Sequence, residues 1–289
     1  MHRAFLISLF LLLFLSNDAS ATELIAYSHL TDGYWQIWVM SADGANKKQI
    51  TFSKEDKRDP VWIENGLAFR TNNSQLFTIS LDGGSGQRIL EKYGVIANPR
   101  FSSKTKEIVF VRFDPRLTDV SDIWKADEEG KNAVLLTKDN TPKFQPCFSS
   151  DGEKIVFVKA DNDRKNYHLW LMYSDGQKPV QITQGQGFDT LPDFAPDGKT
   201  IAFTSNRGGD FDIYTLDLET KKVTQLAKSS GLDTSSSFSP DGKKMVFVSN
   251  RSGSQQIWVM SAEDGSHPKQ LTFEKEESVD PAWAEVEGK

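Results

Sequence analysis

Four aspartates stand at fixed distances ahead of an aromatic residue. Asp189 and Asp233 each lie five residues before a phenylalanine, and Asp59 and Asp280 each lie three residues before a tryptophan. Carboxylates repeated in this way can accept hydrogen bonds, bind cations or exchange protons with a substrate. The spacing therefore marks these four residues as candidates for binding or catalysis.

We interpret the four carboxylates as an acidic rim that meets basic or hydrogen-bonding groups of a protein or peptide partner. The alternative is a structural role, in which they cap turns or pair with Arg207 and Arg251 of two Ser-Asn-Arg segments. We predict no cofactor. A calcium ion in the central tunnel of the fold described below is left open, because clustered carboxylate oxygens suit that ion.

Two charged segments add further candidates for partner binding. RFDPRLTDVS, residues 112–121, and KADNDRKNYH, residues 159–168, are longer and more charged than the corresponding segments elsewhere. Loops held on a rigid scaffold commonly carry binding residues. The complete predicted partner-binding set is Asp59, Arg112, Arg116, Arg164, Asp189, Asp233 and Asp280.

Signatures of common enzyme classes are missing from the sequence, which contains no GxSxG, HExxH or GxxxxGK[ST] segment. We place His29 and His168 in opposite repeats, as surface loop residues too far apart to share a metal ion. We therefore predict a protein without catalytic activity. The alternative is a carbohydrate-active lyase or hydrolase that uses rim carboxylates as acid and base, because such a pair needs no sequence signature.

Six sequence repeats must position these residues. Each repeat has one anchoring aromatic residue, namely Trp62, Phe101, Phe148, Phe194, Phe238 and Trp283. Successive anchors are 39, 47, 46, 44 and 45 residues apart, which is the period of a β-propeller blade. Short runs rich in Val, Ile and Phe, separated by Gly, Pro, Asn and Asp, predict four strands in each repeat. We therefore predict an all-β fold, a six-bladed β-propeller.

The two ends of the chain complete each other. The first repeat lacks its anchoring strand, and the last anchor, Trp283, lacks the strands that should follow it. We predict that the C-terminal strand forms the innermost strand of the N-terminal blade and closes the ring, which hides edges that would otherwise pair with other chains. Cys147, the one cysteine, falls in another innermost strand, where we expect a buried structural side chain.

Composition and the N-terminus bear on partners and location. The formal net charge of −6 supplies no basic field for nucleic acid. Residues 1–21 combine a basic head, an apolar run and an Ala-Ser-Ala end, which is typical of a cleavable signal peptide. We expect cleavage after Ala21 and no membrane insertion after cleavage. Residues 22–289 are expected to form one propeller domain that is monomeric.

The repeats resemble those of the TolB-type propeller family, also called WD40-like or PD40 repeats. The resemblance is carried by FSPDGKKMVFVSNRSGSQQIWVMSAEDG, residues 238–265, and FAPDGKTIAFTSNRGGDFDIYTLDLE, residues 194–219. It implies a periplasmic scaffold of the Gram-negative cell envelope that binds a protein partner, such as a peptidoglycan-associated lipoprotein. Members carry an α/β domain ahead of the propeller. Because the first repeat begins near residue 22, we expect the propeller alone here.

Overall fold

The computed structural model describes residues 21–113 and 120–287, and its strands form six four-stranded antiparallel sheets. In chain order the strands are β1 (Thr22–Thr31), β2 (Tyr34–Ser41) and β3 (Lys48–Gln49) of blade 1; β4 (Lys57–Ile63), β5 (Gly66–Thr71), β6 (Leu76–Ile79) and β7 (Gln87–Ile89) of blade 2; β8 (Ile96–Ser102), β9 (Glu107–Phe113), β10 (Ser121–Asp127) and β11 (Val134–Leu135) of blade 3; β12 (Lys143–Phe148), β13 (Lys154–Ala160), β14 (Tyr167–Tyr173) and β15 (Val180–Gln181) of blade 4; β16 (Asp189–Phe194), β17 (Thr200–Ser205), β18 (Asp212–Asp217) and β19 (Val223–Gln225) of blade 5; and β20 (Asp233–Phe238), β21 (Lys244–Ser249), β22 (Gln256–Ser261) and β23 (Lys269–Gln270) of blade 6, followed by β24 (Ser278–Val286). The predicted six-bladed β-propeller is confirmed.

Ring closure occurs as predicted. β24 pairs antiparallel with β1, from Thr22 opposite Val286 to His29 opposite Ser278. The sheet of blade 1 therefore has the order β24-β1-β2-β3, with its innermost strand supplied by the C-terminal segment. β1 is thereby paired on both sides, with β24 and β2, which explains why the two incomplete repeats lie at the chain ends.

Each innermost strand has a bulge with one residue in the left-handed region. The residues are equivalent in the six blades, with φ between 48° and 54°, and are Asp59, Asn98, Gln145, Leu191, Ser235 and Asp280. The hydrogen-bond register shifts at this point in every blade, as between Thr234 and Ser237. A bulge bends its strand and increases the local twist. The six bulges therefore shape the wall of the central tunnel.

The hydrophobic core lies between neighbouring blades. One cluster joins Ile25, Tyr27 and Met40 of blade 1 to Val246 and Ile257 of blade 6. Such clusters form because the central strands of each blade are apolar on both faces and pack between two adjacent sheets. The third strand of each blade adds one aromatic residue to these clusters, namely Trp38, Phe77, Trp124, Trp170, Tyr214 and Trp258. Cys147 is buried as expected, and burial raises the pKa of its thiol to about 12.

One side of the propeller carries the longer links. We call it the loop-rich face and define it by the links between the second and third strands of each blade, such as residues 206–211 and 250–255, with the links that enter each innermost strand. In the described part of the chain, no helix is long and apolar enough to cross a membrane. Residues 1–20 of the predicted signal peptide lie outside the described residues, so the signal peptide stays a prediction.

Candidate functional site

Asp189 begins the innermost strand β16 at the loop-rich face. Its residue surface is only 3% exposed. The hydroxyl of Ser205 donates a hydrogen bond of 2.7 Å to one carboxylate oxygen, and Nη2 of Arg207 lies 2.7 Å from both. Charge-assisted bonds of this kind are short and strong. The carboxylate is therefore buried behind a guanidinium group.

Asp233 repeats this arrangement in blade 6. It is fully buried, and Nη2 of Arg251 donates a 2.8 Å hydrogen bond to its Oδ2. Nε of Arg251 donates a 2.8 Å bond to the hydroxyl of Ser249, as the guanidinium of Arg207 does to Ser205. The ion pairs considered as the structural alternative are thus present in both blades. At these two positions the face presents the arginines to solvent and not the aspartates, because the side chains of Arg207 and Arg251 are 25% and 21% exposed.

The same arginines cover the aromatic residues of their blades. The Arg207 guanidinium lies 5.4 Å from the ring of Tyr214, and that of Arg251 lies 5.1 Å from the ring of Trp258. Arg112 over Trp124, at 5.2 Å, continues the series in blade 3. These distances fit cation–π contacts.

Blades 4 and 1 complete the series with different side chains. Nζ of Lys159 lies 4.6 Å from the ring of Trp170, and the His29 ring meets Trp38 edge-on at 5.5 Å. Burial lowers the pKa of His29, which favours its neutral form. Four blades therefore present a cationic side chain over the aromatic residue of their third strand, whereas blade 1 places a histidine edge-on to it. Our sequence reasoning missed this feature, because the cation lies two residues after the second-strand phenylalanine in blades 3 and 4 but four residues after it in blades 5 and 6.

A second ring of equivalent positions varies in charge from blade to blade. The first residues of the innermost strands are all buried and are Lys57, Ile96, Lys143, Asp189, Asp233 and Ser278. Lys143 is 1% exposed, and its Nζ lies 2.7 Å from Asp139 and 3.1 Å from Asp122. Burial would raise the pKa of Asp139, but its hydrogen bonds from Lys143, Lys159 and Thr141 hold that pKa well below its usual range. Asp189 and Asp233 of the predicted acidic rim therefore belong to a ring that also contains lysines.

Asp59 and Asp280 lie deeper, at the bulges of β4 and β24. Nε of Arg58 donates a 3.1 Å hydrogen bond to Asp280, and Nε of Arg70 donates a 2.8 Å bond to Asp59. Burial raises the pKa of Asp280, and the neighbouring charge of Asp59 raises it further. Arg58 also lies 4.6 Å from the ring of Trp35. The structure thus brings this pair of carboxylates together and gives each its own arginine.

The three predicted arginines differ in setting. Nε of Arg112 donates a 3.1 Å hydrogen bond to the carbonyl of Tyr93, which fixes its side chain over Trp124. Arg164 is exposed in the tight turn that links β13 to β14. Arg116 lies outside the described residues.

The expectation that His29 and His168 are surface loop residues is wrong. His29 is 9% exposed in β1, and its Nδ1 lies 2.9 Å from the hydroxyl of Ser278. His168 is 5% exposed in β14, with Nε2 3.5 Å from Asp161 and Nδ1 3.9 Å from Asp189. Both histidines lie at strand ends that loops cover. The charged residues around them in the sequence gave no sign of this burial. Among the described residues, no group of three or more His, Cys, Asp or Glu side chains could hold a metal ion.

A polar cleft opens between blades 4 and 5 on the loop-rich face. Its volume is about 600 Å³, and its lining includes Lys165, Asn166, Asn206 and Arg207. The side-chain Oδ1 atoms of Asn166 and Asn206 accept hydrogen bonds from the backbone N–H groups of Gly187 and Phe188. These side chains therefore fix the backbone of the cleft wall. The cleft therefore offers amide and basic groups on a constrained framework.

The comparisons with known proteins agree with the fold. Residues 116–289 match the family model of the TolB beta propeller domain, PD40. The chain is 25% identical over 160 residues to Protein TolB homolog of Chlorobium luteolum, covering 55% of this chain and 34% of that protein. It is 24% identical over 247 residues to the Tol-Pal system protein TolB of Bordetella pertussis, covering 70% of this chain and 51% of that protein.

A solved structure extends the comparison to three dimensions. The crystal structure of TolB from Acinetobacter baumannii superposes with a TM-score of 0.77 at 21% identity, covering 90% of this chain and 66% of that one. The chain spans about half, or less, of the length of the two curated relatives named above. Because the family model covers more than half of the sequence, the chain belongs to the PD40 family of TolB β-propeller domains.

Proposed function

We propose that this protein is a non-catalytic periplasmic scaffold of the TolB type, which binds an envelope protein through the loop-rich face of its propeller. The partner class is that of the peptidoglycan-associated lipoprotein. Membership of the PD40 family supports the envelope role, and the curated relatives include a Tol-Pal system protein.

One observation carries the proposal: the loop-rich face presents basic side chains that buried groups hold in place. Arg207 and Arg251 are each fixed by a buried aspartate, a serine hydroxyl and aromatic rings. Fixing a long side chain before binding lowers the entropy lost when a partner docks. Arginines held in this way recognise carboxylates and carbonyl groups of a protein surface.

The predicted residues take different roles in this proposal. Arg112, Arg116 and Arg164 contact the partner directly, whereas Asp189 and Asp233 act by orienting their arginines. Asp59 and Asp280 do the same for the arginines beside the tunnel. Both rim carboxylates that an acid–base pair would need are already bound to arginines, which favours binding over catalysis.

The test is capture of envelope proteins by the full-length chain and by the Arg207→Ala, Arg251→Ala double variant. Binding of a purified peptidoglycan-associated lipoprotein is measured by surface plasmon resonance, and captured proteins are identified by mass spectrometry. We expect affinity to fall about tenfold or more in the double variant. Lys199→Ala is the matched control, because this lysine is 63% exposed on the opposite face.

A second pair of variants separates binding from catalysis. Asp189→Ala with Asp233→Ala frees both arginines, so we expect weaker capture with the fold retained by circular dichroism. Capture that is equal for wild type and both double variants would contradict the proposal. Glycan turnover by the wild type that disappears with the aspartates would establish the carbohydrate-active alternative instead.

A further inference from the structure

Two phenylalanines project into solvent at equivalent positions of neighbouring blades. Phe52 is 76% exposed and Phe273 is 71% exposed, the two highest values among large apolar side chains in the described residues. Each directly follows a buried threonine that lies two residues beyond the outer strand, Thr51 after β3 in blade 1 and Thr272 after β23 in blade 6. Ring closure makes these blades adjacent. Both side chains therefore lie at the outer margin of the loop-rich face, on the same side of the molecule.

The four other blades have polar residues at this position. Alignment on the outer-strand residue that pairs with the third-strand aromatic places Glu91, Lys138, Gln184 and Lys228 there. The propeller thus folds with a hydrophilic side chain at this point in most of its repeats. An exposed phenylalanine contributes little to stability, so packing does not account for the two aromatic residues.

The loops that carry the two phenylalanines are rigidly held. Nε2 of Gln36, which is 2% exposed, donates hydrogen bonds to the carbonyls of Ser53 and Glu55 at 2.8 and 3.0 Å. Gln256, which is 1% exposed, makes the same pair of bonds, 2.9 Å each, to the carbonyls of residues 274 and 276. Both aromatic side chains therefore project from fixed backbone, which favours binding because little loop entropy is lost.

The charges around the phenylalanines indicate what they bind. Residues 52–57 and 273–278 contain five acidic residues, namely Glu55, Asp56, Glu274, Glu276 and Glu277, and three basic ones, Lys54, Lys57 and Lys275. Two of these carboxylates are already paired within the protein, Glu55 with the buried Lys57 and Glu274 with Lys47. The acidic residues outside these two pairs are Asp56, Glu276 and Glu277, against the two lysines Lys54 and Lys275, so the surface around the rings keeps an acidic excess. A second copy of this chain would oppose like charges in a symmetric dimer, and an anionic membrane would be repelled.

We propose that Phe52 and Phe273 form a docking site for a partner segment that carries apolar side chains flanked by lysine or arginine. The apolar groups cover the two rings, and the basic groups meet the surrounding carboxylates. This inference rests on the proposed protein-binding function of the loop-rich face and adds the chemistry of the bound segment.

The test uses fluorescence anisotropy of a labelled peptide in which leucines are interspersed with lysines, with the full-length chain. We expect Phe52→Gln and Phe273→Gln each to weaken binding about tenfold. Glutamine occupies this position in blade 4, so both variants should fold. A peptide with glutamate in place of lysine, and one with glycine in place of leucine, should not bind. Gln184→Phe, introduced into the double-glutamine variant, places a phenylalanine on a loop without acidic residues and should not restore binding.

Several results would overturn the docking site: no binding of the leucine-lysine peptide, equal binding by the glutamine variants, or restoration by Gln184→Phe. If sedimentation shows a wild-type dimer that the glutamine variants do not form, the two rings bind a second copy of the chain. If the wild type binds phosphatidylglycerol vesicles and the glutamine variants do not, the rings bind a membrane. The capture assay keeps the two proposals apart. Capture that depends on Arg207 and Arg251 but not on the phenylalanines would contradict the docking site alone. A wild type that captures no envelope protein would contradict the proposed function.

Discussion

Replacing Trp283 by alanine tests whether the C-terminal strand is part of one cooperative propeller. Trp283 is 7% exposed and packs with Ile25, Tyr27 and residues of blade 6 in a single core cluster. Truncating a buried tryptophan removes about 3–5 kcal/mol from the free energy of unfolding. Its indole nitrogen is buried without a hydrogen-bond partner, so the loss should lie near the lower end of that range.

The expected shift in melting temperature follows from this free energy. One kcal/mol corresponds to about 2–4 °C in a domain of this size, so about 3 kcal/mol predicts a fall of about 6–12 °C. Differential scanning calorimetry measures the shift, and urea unfolding gives the free energy directly. Phe238→Ala is the matched control, because Phe238 is also 7% exposed and occupies the equivalent position of an internal blade.

The melting temperatures of the two variants together test whether β24 closes the ring. If β24 closes the ring, both substitutions lower the melting temperature by similar amounts and the unfolding transition stays single. A shift below about 2 °C for Trp283→Ala, with a full shift for Phe238→Ala, would refute ring closure, because an attached but dispensable tail loses nothing on truncation.

Three further predictions test other parts of the fold. A chain ending at Glu277 lacks β24 and should lose more stability than any single core substitution, as measured by circular dichroism on heating. Burial raises the pKa of Asp193 to about 6, so between about pH 4 and 6 the folded chain holds a proton that the unfolded chain releases. The free energy of unfolding should therefore fall by up to about 3 kcal/mol as the pH rises through this range. Urea unfolding at several pH values should show that Asp193→Asn removes this fall. Gly66→Ala should destabilise blade 2 by about 1–3 kcal/mol, since Gly66 has φ of 145° and an added Cβ would meet the carbonyl oxygen of Ile79; urea unfolding would contradict this if its midpoint did not move.

The repeat pattern made the architecture predictable. Aromatic anchors at a blade-sized period identified six blades, and the incomplete repeats at the two ends identified ring closure, because each anchor and each short apolar run reflects a local requirement of strand packing. The bulges were not predictable. Side chains as different as those of Leu191, Gln145 and Asp280 adopt the same left-handed conformation, so the geometry of the tunnel imposes it and no residue type signals it.

The candidate site was predictable only in part for a related reason. Asp189 and Asp233 stood out as repeated carboxylates, yet their burial depends on arginines eighteen residues later that fold back over them. The alternative of an ion pair was visible in the sequence, whereas the stacking of each arginine on a third-strand aromatic was not. His168 was misplaced because the strand end it occupies is covered by loops from its own and the neighbouring blade.

Within one propeller the six blades act as an internal comparison that separates scaffold from function. Positions that build the scaffold keep one residue type, as the buried aromatic or aliphatic residues of the second strands do. Two positions on the loop-rich face do not. The first residue of the innermost strand varies from Lys143 to Asp233, and the residue three places after the outer-strand partner of the third-strand aromatic varies from Phe52 to Lys228. The geometry at both positions is repeated, so folding alone does not demand the variation. The exposed phenylalanines at the second position can contact a partner directly, whereas the buried residues at the first position act through the side chains they hold, as Asp189 and Asp233 hold Arg207 and Arg251.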